Sequence, residues 1–474
     1  MSSPPNQTQV LIIGGGPAGS YTATLLSKAG FDVVVLEATK FPRYQIGESM
    51  LPSLRSFLRI IGAEDKVMKH GFAVKRGAAV KFNQWMDEGY TDFIGYHPHN
   101  SSWNVLRSEL DDILLKHAQE SGASVFEEHK VLEIHFSKDN QSRPVSATYV
   151  GPAGEGKIAF DFLVDASGRS GIMSTRYLKN RIMNNSLQNL ACWGYWKNVQ
   201  IYKPNTTRHN APWFESLTDE SGWAWFLPLR DGLTSVGIVM DKNISIEKRK
   251  SNDGVLRDHY LSQLKLVPSL QTLLEGASLV DYGVNTVRSV TDFSYAASTY
   301  AGDHFRLAGD ASAFIDPFFS TGVHLAFLTG LSAALSICAS IRGRKSEKEA
   351  IEFHNQKVGT AYTRFLLVVS AAYKQIRAQK VPILCEPGET NFDRAFQMME
   401  PIIWGAVDMG YRRPTEEGGS KTSHFIMNVF SSTDLENYKA IGAHLTGGDL
   451  FGPETFVLAP EQVGLSAEEL FAQY

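Results

Sequence analysis

The chain has 474 residues, 43% of them hydrophobic and 20% charged, enough apolar material for a large core, which excludes a disordered or fibrous protein. Lys and Arg number 46 against 50 Asp and Glu, a net charge of −4, so no basic surplus points to nucleic acid or to an anionic membrane. Three separated cysteines, Cys192, Cys338 and Cys385, exclude a disulfide framework and a cysteine zinc site, and suit a reducing, cytoplasmic setting.

From Val10 the chain reads as strand, glycine cluster, helix and second strand, a βαβ unit that predicts a Rossmann-type α/β lobe. Gly14-x-Gly16-x-x-Gly19 lies at its first turn and Glu37 at the end of its second strand. That context marks a dinucleotide site: glycines permit the tight turn, N–H groups around Gly15 to Ala18 face a pyrophosphate, and Glu37 accepts from ribose hydroxyls. A second such motif is missing, so a dedicated NAD(P)H domain is not expected.

Similar strands are predicted at Ser124–Phe126, Val131–Phe136, Phe160–Val164 and His304–Ala308, with a helix over Arg107–Glu120. Between them lie alternating, aromatic strands: Ala78–Phe82, Tyr90–Tyr96, Leu190–Tyr202, and Gly222–Leu229 joined to Leu233–Met240. Asp231-Gly232 is the turn of that last pair, where both residues need positive φ. This predicts an antiparallel substrate sheet, about 76–105 and 188–275, inserted into a core of residues 1–345. Val323–Ile341 is long enough to span a membrane, but His324, Thr329 and Ser332 inside it favour a core helix. Residues 346–474 form a mainly helical region, with Ala350–Arg377 its longest helix. His97-Pro98-His99 lacks a third ligand at metal spacing and reads as a loop, so no metal is expected.

Three short features have two readings each. Trp223 and Trp225, two apart on one strand, share a face and either wall off a ligand or simply fill the core. Ser320, Thr321 and Gly322 open a helix, whose free N–H groups suit an anion, although Ser320 also fits an ordinary N-cap. Lys75 taken alone is an exposed strand lysine, with Lys81 on the same strand face.

Arg306-Leu307-Ala308-Gly309-Asp310, Asp165-Ala166-Ser167-Gly168, and Arg107 before Leu110-Asp111 resemble FAD-dependent monooxygenases of the aromatic-hydroxylase type. Trp223-Ala224-Trp225-Phe226-Leu227-Pro228 matches the WxWxIP signature of flavin-dependent halogenases, with Leu227 in place of Ile. Phe314-x-x-Pro317-x-x-Ser320-x-Gly322 matches their FxxPxxSxG signature at every fixed position. Phe41-Pro42-Arg43 to Ile46-Gly47-Glu48-Ser49-Met50 looks like the strap joining the flavin and substrate sites of that family. The likeness runs from about residue 9 to 340.

The resemblance implies FAD, used as FADH2 with O2 and a halide ion, chloride or bromide. It assigns Asp310, Arg107, Glu48 and Val323 to the cofactor, and Thr321 and Gly322 to halide. It also implies that halide takes the distal oxygen of a flavin hydroperoxide, that Trp223 and Trp225 part flavin from substrate, and that Lys75, before Gly77-Ala78, passes hypohalous acid to an aromatic carbon, with Ser320 beside the reaction. Indole-acting members carry a carboxylate before Ser-Thr-Gly where this chain has Phe319, which points to a phenolic substrate, free or carrier-bound. The base that activates the phenol stays open among several His and Asp residues. A separate flavin reductase is the expected partner. An aromatic hydroxylase is the alternative enzyme, disfavoured by Ala311-Ser312-Ala313 where hydroxylases place a His. Escort proteins of the same fold and isoprenoid reductases are further alternatives.

Overall fold

The computed structural model describes residues 3–95, 98–251 and 253–409. His97 and the tail beyond residue 409 lie outside the described residues. The runs Val10–Ile13 and Val33–Leu36 are wholly buried, so both faces of the sheet are covered there, as a continuous Val/Ile/Leu run requires. Gln7–Ile13 pairs in parallel with Val33–Leu36 on one side and Gly154–Asp165 on the other. Phe305–Leu307 and Ser124–Phe126 extend the parallel order outward. An antiparallel meander, Lys130–Phe136 and Pro144–Gly151, continues into Gly154–Asp165; the strand patterning alone does not indicate it.

Among the described residues the second sheet has nine strands and is antiparallel except where Trp213–Ser216 runs parallel to Gly77–Lys81. Its centre is the run Arg288–Ala297, Arg181–Lys197, Thr234–Asp241 and Gly222–Pro228. Arg181–Lys197 begins well before the expected Leu190 and ends before Tyr202, because Arg288–Ala297 pairs with its early half across a bulge between Met183 and Gln188. The hairpin forms as expected: Asp231 and Gly232 have φ of 58° and 67°. The expected strand Tyr90–Tyr96 is shorter, Gly89–Asp92, and Tyr96 lies outside the described residues.

The helix Thr321–Ile341 runs through the protein interior, packed on Pro17–Lys28 and on Glu347–Arg377. Its polar side chains are paired inside the protein: Thr329 with Gly309 N, Ser332 with His354, and Ser336 with Arg306. A Cβ on Gly330 would lie 2.8 Å from Thr22 Oγ1 and 3.0 Å from Ala18 O, so glycine sets how closely the two helices cross. The crossing brings the start of this helix to the glycine turn.

Candidate active site

Three turns meet at the ends of the parallel strands. Gly14 has φ +103°, and a Cβ there would lie 2.4 Å from Ala166 O; one on Gly19 would lie 1.9 Å from Gly14 O. Glycine alone lets the Asp165–Gly168 turn and the first helix close on this loop. Glu37 accepts from Gly15 N at 2.7 Å, and from Thr39 N and Oγ1 at 2.8 and 2.7 Å. The buried carboxylate braces the loop and keeps lone pairs for a further donor.

A cavity of about 870 Å³ opens from this loop and reaches the second sheet. Gly14, Gly16, Ala18, Glu37 and Asp310 line one end; Trp193, Phe214, Trp223 and Trp225 line the other. The first end fits FAD: a glycine turn that side chains would close, helix amides, Glu37, and the Asp310 carboxylate, which meets Arg169 only at 3.9 Å. Burial raises the pKa of Asp310.

The strap joins the two ends. Arg107 pairs with Asp111 through Nε at 2.9 Å and Nη2 at 3.1 Å and donates from Nη1 to Ile46 O at 3.0 Å, which fixes the strap's course. Glu48 then turns inward, 2% exposed, and accepts from Tyr195 OH at 2.7 Å. Burial lifts its pKa to about 7, against the opposing pull of Ser235, Tyr195 and Arg107.

Lys75 is 2% exposed, not a surface lysine. It ends the strand Ala73–Lys75, paired with Ser102–Asn104, and its Nζ donates to Ser49 Oγ at 2.8 Å and Met50 O at 3.1 Å. Neutral partners cannot offset the lost hydration, so burial lowers its pKa to about 7. Lys81 does not share its strand face: it belongs to Gly77–Lys81 in the nine-stranded sheet, and its Nζ donates to Met86 O. Arg76 separates the two strands, which pair with different partners.

Trp223 and Trp225 share one face, their rings 5.9 Å apart. Trp223 Nε1 donates to Tyr373 OH at 2.8 Å, and Tyr373 OH donates to Asp316 at 2.7 Å. Trp225 Nε1 donates to Ser235 Oγ at 3.1 Å. Across the cavity, Ser320 has φ 57° and makes no side-chain cap bond, so it positions the helix start through its backbone rather than through its hydroxyl. Gly322 has open space on its Cβ side.

The FAD binding domain family matches residues 7–356. The flavin-dependent halogenase armH4 of Armillaria mellea is 52% identical over 474 residues, covering 97% of this chain and 89% of that protein. The chain belongs to the flavin-dependent halogenases. Another relative of this halogenase is the sulochrin halogenase gedL of Aspergillus terreus, 47% identical over 427 residues, covering 86% of this chain and 77% of that protein. Among solved structures, the flavin-dependent halogenase CmlS superposes with a TM-score of 0.71 at 31% identity, over 82% of this chain and 67% of that one. The myxobacterial chondrochloren halogenase CndH gives 0.72 at 25% identity, over 96% and 100%. FAD is the cofactor of the halogenase family.

Most of the residues singled out in the halogenase sequence converge on the one cavity. Glu48, Arg107, Ser320, Gly322 and Val323 line it with the residues named above, whereas Gly15, Gly19, Thr321 and Lys75 stand behind its wall. Lys75 reaches it through Ser49, a lining residue. Two groups escaped sequence reasoning. Trp193 Nε1 donates to Tyr44 OH at 2.7 Å, and Tyr44 OH lies 3.0 Å from Tyr195 OH; the alternation of Trp193 and Tyr195 along one strand is the same signal that marked Trp223 and Trp225. Asp316, inside the FxxPxxSxG stretch, also accepts from Asn189 Nδ2 at 3.1 Å.

Proposed function

We propose that the halogenase installs chlorine or bromine on an electron-rich phenolic compound, free or carrier-bound, by way of hypohalous acid and Lys75. The observation that carries this reading is Lys75 itself, a buried amine hydrogen-bonded to the cavity-lining Ser49, with a pKa low enough for its neutral form to be populated near neutral pH. When bound, reduced FAD would activate O2 by donating electrons to it, so that the oxygen could in turn oxidise halide to hypohalous acid.

The chain's own groups do the rest. The backbone amides of Thr321 and Gly322, at the positive end of a 21-residue helix, hold the halide. Trp223 and Trp225 close the FAD end to a ring as large as a phenol, so that only the small oxidant passes. Lys75 Nζ hydrogen-bonds the hypohalous acid, or takes its halogen as a haloamine, and presents it to the ring. Phe319, buried and apolar, offers no carboxylate to an indole N–H. With one matched FAD domain and one dinucleotide motif, the reduced cofactor comes from a separate flavin reductase.

Mass spectrometry of phenols incubated with the protein, FAD, a flavin reductase with NADH, O2 and bromide tests the reading. Paired bromine isotope peaks that vanish in Lys75→Ala support it; a product that gains only oxygen sinks it in favour of hydroxylation.

A further inference from the structure

The first turn of the helix Thr321–Ile341 carries the amides assigned to halide, yet its own cap does not hold it. Ser320 makes no side-chain cap bond, and Gly322 has open space where a side chain would be. N–H groups bind an anion well only when they point nearly straight at it, so the tilt and roll of this turn decide whether two amides converge on one ion. The turn has to be fixed by another contact.

His324, in the same turn, makes that contact. Its buried ring places Nδ1 2.8 Å from Ser53 Oγ and Nε2 3.0 Å from Asp408 Oδ2. Phe57 and Phe365 meet the ring edge-on, at centroid distances of 5.5 and 5.2 Å. Ser53 lies just past the strap and opens the helix Leu54–Ile61, and Asp408 belongs to the short helix Ala406–Met409. One imidazole thus ties the halide turn to two elements far from it in sequence.

The fit around the ring is close. Gly405 has φ +68°, and a Cβ there would lie 2.5 Å from both Cε1 and Nδ1 of His324 and 2.6 Å from Ser53 Oγ, so only glycine lets the segment approach. Trp404 O accepts from Ser53 N at 3.3 Å. Asp408 is itself anchored: its Oδ1 accepts from Arg364 Nη1 at 2.9 Å, on the helix Glu347–Arg377. Burial pushes the Asp408 pKa up, but Arg364 and His324 pull against it and the net shift is downward. An ionised carboxylate only accepts, so His324 Nε2 carries the hydrogen that faces it.

We propose that His324 is the positioning residue of the halide site, held in register by Asp408 and Ser53; this rests on the reading above that Thr321 and Gly322 bind halide. Gly322 and Val323 line the cavity and His324 does not, so it acts through the backbone of the turn and not on the ion. Its two hydrogen bonds set the roll of the helix start, and the amides then point at one halide ion without a side chain touching it.

The test follows the bromide dependence of the FAD-loaded enzyme in His324→Leu, which keeps an apolar side chain between Phe57 and Phe365 and removes both hydrogen bonds. The KM for bromide is expected to rise about tenfold or more, while the KM for the phenol and the Kd for FAD stay within about twofold. Binding should follow the kinetics: the bromide concentration that half-saturates the Tm rise of the FAD-loaded protein moves up by the same factor. His324→Gln offers Asp408 an amide N–H and is expected to recover about half or more of the loss on a logarithmic scale. Equal losses in the Leu and Gln variants, a bromide KM within about twofold of wild type in His324→Leu, or losses shared equally by bromide, phenol and FAD overturn the proposal and leave His324 a packing residue. Should both variants misfold, Ser53→Ala decides alone, and a bromide KM raised less than about twofold in it overturns the proposal. A wild type whose turnover and product are independent of bromide overturns the halide reading and this proposal together.

Discussion

The Trp225 indole fills the space that a side chain at Gly237 would occupy: the two residues face each other across paired strands, and a Cβ on Gly237 would lie 2.2 Å from the ring. Gly237→Ala must push the indole off its Ser235 hydrogen bond, at a cost of about 1–3 kcal/mol. The expected results are a lower Tm and more NADH consumed per halogenated product. Adding Trp225→Phe should recover part of the Tm, because a smaller ring relieves the clash; strictly additive losses would show that the contact is not the cause.

Lys75→Met should abolish halogenation and leave the fold intact. Its stability effect has a definite sign. Burial lowers the Lys75 pKa from 10.5 to about 7, so between those values the unfolded chain binds the extra proton and wild type gains stability as pH rises. The methionine variant lacks that gain. Its Tm relative to wild type is therefore highest below about pH 7 and falls towards about pH 10, which paired melting curves would show.

Glu37→Gln leaves the fold in place and weakens FAD. Three protein donors occupy both carboxylate oxygens, and an amide offers one acceptor oxygen and an NH2 that opposes a donor. Losing hydrogen bonds to a charged acceptor costs about 1.5–3 kcal/mol, so the Kd for FAD should rise about 10- to 100-fold in a fluorescence titration. An unchanged Kd would remove Glu37 from the cofactor site.

Tyr373→Phe takes the acceptor from Trp223 Nε1 and a donor from Asp316, for a loss of about 1–3 kcal/mol. Burial already raises the Asp316 pKa from 3.8 to about 6, and the Tyr373 bond holds it down. A folded-state pKa above the unfolded one means that stability falls as pH rises through that window and levels off above it. Without Tyr373 the window extends upward, so the Tm gap between variant and wild type should be wider at about pH 8 than at about pH 5.

What could be read from sequence was local. Gly14, Gly16, Gly19 and Glu37 lie within one βαβ unit, and Asp231-Gly232 makes a turn from its own backbone, so short-range spacing carried their geometry. The family signatures around Trp223 and Ser320 are likewise contiguous, and they brought the fold, the cofactor and the halogenase family into view. Tertiary structure decided what depends on residues far apart. Trp223 meets Tyr373 across 150 positions, and Tyr195 meets Glu48 across 147. Lys75 looked exposed on its strand, yet it is buried, because the Ser102–Asn104 strand and the strap at Ser49 close over it. Spacing along a chain records which side chains can share a face; only packing sets which lose water, and the loss of water gives Lys75 and Glu48 their shifted pKa values.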